Sequence, residues 1–158
     1  MKNMRYITLC AGILLALACG KDKLETKPSI EIKSMSGDMI PVNGNLAITL
    51  KFNDKEGDVD SLYVQRIRLN KEKDPPGGRT PPDFFHLQVP EFPEKSTGEI
   101  LLNFAYSGYL ADAITPRDDP NSPTGKLADS IAFRFALMDK SDHTSDTITT
   151  AQIVVIRN

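Results

Sequence analysis

The chain contains no tryptophan, two histidines and two cysteines in 158 residues. Each scarcity excludes something. Two histidines without a spare thiol make a poor zinc ligand set. Cys10 lies inside an apolar N-terminal run, which leaves Cys19 with no internal disulfide partner. There is no glycine-rich phosphate loop. Asp142, His143 and Ser145 are close in sequence, but catalytic triads are assembled from separated positions and need an oxyanion hole. No enzymatic activity and no resident cofactor are expected. Basic residues are not in excess: 19 Lys and Arg stand against 21 Asp and Glu. That balance argues against nucleic acid, which rewards Lys/Arg patches. It offers no polybasic stretch to anionic lipid either. Without tryptophan, the rings left to stack on a sugar are Tyr63, Tyr106 and Tyr109. No apolar run reaches the roughly 20 residues that span a bilayer.

What is present begins with an export signal. Lys2 and Arg5 precede an apolar run, Ile7 to Ala18, broken by Thr8 and Gly12. Its length suits a signal peptide, and Ala16 and Ala18 place small residues before a cleavage point. The stretch Ala16-Leu17-Ala18-Cys19 resembles the lipobox of bacterial lipoproteins, in which the cysteine becomes the new N-terminus and carries acyl chains. Residues 1–18 therefore read as a lipoprotein signal peptide and Cys19 as the lipidation site. An unpaired cysteine in an exported protein needs an explanation, and acylation supplies one. Two or three acyl chains anchor a domain stably without a spanning helix. The expected partner is thus a membrane, reached through lipid, and the expected location is the outer membrane of a cell envelope, on its periplasmic face or at the cell surface.

Cleavage leaves 140 residues, enough for one domain. It removes Lys2 and Arg5 and no acid, so 17 basic residues face 21 acidic ones. Residues 19–28 form the lipidated cysteine and a polar tether, and the nine residues after Cys19 reach at most about 30 Å. Residues 29–158 alternate short apolar-periodic runs with turn-rich gaps, the signature of an all-β domain. Seven strands are expected, A to G, around Ile30–Ile32, Leu46–Phe52, Leu62–Leu69, Phe85–Val89, Ile100–Phe104, Ile131–Leu137 and Ala151–Val155. In the third, Val64, Ile67 and Leu69 change parity, which points to a bulge. A short helical turn fits Gly108 to Ile114. Each strand buries one face, so the expectation is a seven-stranded antiparallel immunoglobulin-like β-sandwich. Its core is expected from Ile48, Leu50, Phe52, Ile100, Leu102, Phe133, Phe135 and Ile153.

Two acidic clusters stand out. Asn53 to Asp60 carries Asp54, Glu56, Asp58 and Asp60 around Gly57, and Asp139 to Asp146 adds Asp139 and Asp142. With alternating strands the two lie on neighbouring loops at one end of the sandwich. A structural calcium site shared by these six residues is one reading, since Ca²⁺ takes six to eight oxygen ligands. Solvated turns are the other, because Asp, Asn, Ser and Gly are what turns demand. The spacing does not match an EF-hand: Gly57 falls at the fourth position from Asp54, not the sixth. Two proline-rich loops, Lys71–Asp83 and Thr115–Lys126, are placed by the same alternation at the opposite end. Pro75, Pro76 and Arg79 of the first and Pro116, Arg117 and Pro120 of the second are the candidate contacts for a protein or glycan partner.

The export signal with Cys19, the segment Phe52-Asn53-Asp54-Lys55-Glu56-Gly57-Asp58 and the ending Asp139…Ser145-Asp146-Thr147…Thr150-Ala151-Gln152-Ile153 resemble small lipoproteins of the Bacteroidota. The resemblance covers nearly the whole chain. It implies an immunoglobulin- or cadherin-like sandwich in the cell envelope, with no known reaction and no metal ligands carried over. Functionally it leaves a non-enzymatic partner-binding or spacer module, with an accessory glycan- or peptide-binding module as the alternative.

Overall fold

A computed structural model describes residues 27–70 and 82–158. The export signal, Cys19, Pro75, Pro76 and Arg79 lie outside the described residues. Period-two burial organises the chain into two sheets, as alternating apolar and polar residues dictate. The first contains β1 (Ser29–Met35), β3 (Asn45–Asn53) and β6 (Thr97–Ala105) in the order β1-β3-β6. The second runs β2 (Met39–Ile40), β9 (Ile153–Val155), β7 (Asp129–Asp139), β4 (Val59–Arg68), β5 (Phe84–Gln88), with β8 (Ile148–Thr149) also on β7. Among the described residues there are thus nine strands, not the expected seven.

Both additions have local causes. The chain leaves the first sheet after Met35, and Met39 and Ile40 pair in parallel with Val154 and Val155. That pair breaks the expected all-antiparallel pattern, and two residues are too few to show a period. The last strand is split. β8 and β9 both pair with β7, but between them Thr150 directs its side chain to the backbone and accepts the Phe133 N–H at 3.0 Å. Ala151, expected to face inward, is exposed.

The core lies between the sheets. Leu46, Ile48, Leu50 and Phe52 of β3 and Leu102 and Phe104 of β6 meet Leu62, Val64, Ile131, Phe133, Phe135, Leu137 and Ile153 of the second sheet. Phe104 and Phe133 join the layers directly, with ring centroids 4.4 Å apart. Every expected core residue is buried except Ile100, which is half-buried. The third expected strand is corrected. Leu62, Val64 and Arg66 face inward in unbroken register, Ile67 is half-buried and Leu69 is exposed. The irregularity falls between Val59 and Ser61 instead. Parity holds at position 66 because the inward side chain is an arginine with partners. A single π-helical turn, Tyr106–Leu110, follows β6 and starts before the expected Gly108. Among the described residues no helix is long and apolar enough to cross a membrane.

Candidate functional site

The turn between β3 and β4 is built by Asp54. Its backbone N–H donates to the Ser96 carbonyl at 2.7 Å, and its Oδ2 accepts the Asp58 N–H at 2.9 Å. Gly57 closes the turn at a φ of 72°, in the left-handed region that favours glycine. Asp54 is 1% exposed and its Oδ1 has no hydrogen-bond partner. Burial pushes its carboxyl above the ordinary value of 3.8. The Asp58 N–H opposes that shift, while the charges of Asp58, Asp139 and Glu56 add to it.

Asp139 ends β7 and builds the facing turn. Its Oδ1 accepts the N–H groups of Ser141 and His143 at 2.8 and 2.9 Å, and its Oδ2 lies 3.0 Å from His143 Nδ1. Ser145 is buried: its Oγ accepts the Leu137 N–H and donates to the Asp146 carbonyl. Asp142 takes a φ of 64° at the exposed tip. The Lys140 N–H donates to the Asp58 carbonyl at 3.1 Å and ties the two turns together.

Asp54, Asp58 and Asp139 each offer an oxygen within 4.8 Å of the others. The other three candidates do not join them. Asp60 faces β5, where its carboxylate accepts from Ser61 Oγ at 2.6 Å and Gln88 Nε2 at 2.7 Å. Those two donors hold its carboxyl below 3.8. Glu56 and Asp142 are exposed and outside the group. Ser29 pairs with Asn53, and Lys27 bridges to Asp146 at 2.6 Å. The acidic turns therefore sit at the end where residues 27–29 enter the sandwich.

The opposite end holds a feature the sequence analysis missed. Arg66 is 2% exposed. Its Nη2 lies 3.2 Å from Asp83 Oδ1 and 3.7 Å from Asp112 Oδ2, and Arg68 Nη2 lies 2.8 Å from Asp83 Oδ2. Arg157, also buried, pairs with Asp129 and donates to the carbonyls of Asp112 and Ile114. Continued parity through Leu62, Val64 and Arg66 was the available signal. The roots of the proline-rich loops converge here: Asn70 Nδ2 donates to the Ala128 carbonyl and Asn70 Oδ1 accepts the Ser130 N–H. Arg117 and Pro120 are exposed and Pro116 is half-buried, on a segment closed by a bridge between Asp118 and Lys126. Lys126 holds the Asp118 carboxyl below 3.8. Tyr106 and Tyr109 form no open platform. Tyr109 packs on Phe85 and Phe104, and Tyr106 donates to the Ile156 carbonyl at 2.7 Å. Among the described residues Phe84 is an exposed ring, stacked 6.2 Å from Tyr63, which in turn lies beside His86 on the outer face of the second sheet.

No protein-family model and no curated protein matches the chain. Among solved structures it is similar to the sporulation control protein Spo0M of Bacillus subtilis, at 12% identity and TM-score 0.40, over 84% of this chain and 50% of that one. It spans half the length of that protein. It is also similar to a FixG-related protein of Vibrio parahaemolyticus, at 12% identity and TM-score 0.37, over 82% and 97%. A Niemann-Pick type C2 protein of the Japanese carpenter ant aligns at 11% identity and TM-score 0.37, over 81% and 89%. Likenesses of this size carry no argument about function.

Proposed function

We propose that this chain is a non-enzymatic lipoprotein of the outer membrane, acylated at Cys19, whose immunoglobulin-like sandwich acts as a partner-binding or spacer module. The observation that carries the reading is the apolar run ending in Ala16-Leu17-Ala18-Cys19, with no second cysteine left to pair with Cys19. Support for the immunoglobulin-like description comes from the strand order β2-β9-β7-β4-β5 facing β1-β3-β6, with β2 crossing between sheets to run parallel to β9. The partner is assigned to the end away from the tether, where Pro116, Arg117 and Pro120 lie and where Asn70 and Pro82 mark the roots of the segment carrying Pro75, Pro76 and Arg79. Proline lowers the ordering entropy a loop loses on binding.

Cys19→Ala tests the anchor. Expressed in a bacterial envelope, the variant should move from the membrane to the soluble fraction; unchanged membrane retention overturns the reading. Replacing 116–123 with a short glycine-serine linker should abolish capture of the envelope partner in crosslinking while the melting temperature stays nearly constant. A second reading, an accessory glycan- or peptide-binding module, is favoured by the exposed Phe84 with Tyr63 and His86. Oligosaccharide or peptide binding lost in Phe84→Ala would establish it.

A further inference from the structure

Three carboxylates meet where the two acidic turns touch. Asp54 and Asp139 are each 1% exposed, and Asp58 is half-buried. Among the described residues no Lys or Arg pairs with any of them, and His143 Nδ1 lies 3.0 Å from Asp139 Oδ2. Two carboxylate oxygens, Asp54 Oδ1 and Asp58 Oδ1, are buried without a hydrogen-bond donor. Asp139 already receives two N–H groups, so turn building accounts for it. Turn building does not account for Asp54 Oδ1, because the Asp58 N–H goes to Asp54 Oδ2. A buried acceptor with no donor costs about 1–3 kcal/mol, and more when charged. A metal ion satisfies such an oxygen and neutralises the group.

We propose that Asp54, Asp58 and Asp139 together bind one calcium ion, which ties the β3–β4 turn to the β7–β8 turn. The donors are all oxygen, which suits a hard cation and not zinc, which prefers nitrogen and sulfur. Two oxygens sharing Ca²⁺ at about 2.4 Å can be at most about 4.8 Å apart. All three donors fall within 4.8 Å of one another. Calcium tolerates irregular, turn-supplied ligand sets, whereas magnesium demands near-ideal octahedral geometry. Water would complete the shell of an ion held by these three carboxylates. Three carboxylates correspond to the weak class of extracellular modules, with Kd on the order of 10⁻⁴–10⁻³ M. The inference does not rest on lipidation at Cys19.

The test uses the full chain in detergent, stripped with EDTA. Adding about 10 mM CaCl₂ at constant ionic strength should raise the melting temperature by about 5–10 °C. Asp58→Asn should abolish the rise without lowering the melting temperature in EDTA, because the buried Asp58 Oδ1 accepts no hydrogen bond among the described residues. Asp54→Asn should also abolish it, since the amide oxygen still accepts the Asp58 N–H but the charge is gone. Glu56→Gln and Asp60→Asn should keep the full rise. No rise in the unaltered chain, or a full rise in Asp58→Asn, overturns the site. An equal rise with MgCl₂ overturns the assignment to calcium.

Discussion

Two glycines show how single residues set the geometry. A Cβ on Gly57 would stand 2.8 Å from the Lys95 backbone nitrogen, and the φ of 72° adds strain for any L side chain. Gly57→Ala is therefore expected to cost about 1–3 kcal/mol in urea unfolding, and to pull Asp58 off Asp54. Gly98 has a different duty. Its missing Cβ makes room for the Phe52 ring, which would sit 2.6 Å away. In the core, Phe133 is fully buried between Phe104 and Phe135. Phe133→Ala should lower stability by about 3–5 kcal/mol; a loss under about 0.5 kcal/mol would be the mark of a surface site. Tyr106 supplies a pH signature. Burial pushes its hydroxyl above 10.0, opposed in part by the Arg157 charge. The folded state holds that proton more tightly than the unfolded state, so the contribution is complete below about pH 10 and is lost as pH rises through the folded value. Tyr106→Phe should cost about 1 kcal/mol at neutral pH through the lost bond to Ile156. The gap between variant and parent should narrow in unfolding curves above about pH 10.

At the scale of elements, the C-terminal segment is held by more than its short strands. β9 has three residues, yet Arg157 beyond it joins Asp129 at the start of β7 to the carbonyls of Asp112 and Ile114. Arg157→Met would leave the Asp129 carboxylate without that partner. Breaking a buried pair from one side typically costs about 3–5 kcal/mol, and this loss should appear as a lower midpoint in chemical unfolding. Adding Asp129→Asn should recover part of it, the outcome expected when the penalty is a stranded charge. The same logic explains why β4 keeps its parity beyond Val64. Its inward face passes from Leu62 and Val64 to Arg66 without a bulge, because Asp83 and Asp112 meet the guanidinium. Apolar periodicity alone placed Ile67 and Leu69 inward. A buried arginine is invisible to that reading until its acids, brought from two other segments, are in place.

For the whole molecule the two ends differ in chemistry. One carries Lys27, Ser29 and the three clustered carboxylates; the other carries the Arg66, Arg68 and Arg157 network and the proline-rich segment 115–126. If Cys19 is acylated, the tether of at most about 30 Å holds the acidic end nearer the bilayer. A fluorophore on Ser141→Cys should then transfer energy to a membrane probe more efficiently than one on Asn121→Cys. The reverse order would overturn the orientation.

Alternation in the sequence by itself determined the all-β class, most of the core and the ends at which the acidic turns and the segment 115–126 fall. These follow from period-two patterns and strand direction, which are local. Tertiary structure alone decided that Asp54, Asp58 and Asp139 converge while Asp60 turns to Gln88 and Glu56 and Asp142 stay outside. It also decided that Tyr106 and Tyr109 pack inward and that Arg66 and Arg157 are buried. Each of these depends on which side chains the inter-sheet register and the turns bring within a few ångströms. That distance is set by contacts between segments far apart in the chain, and no local period encodes it.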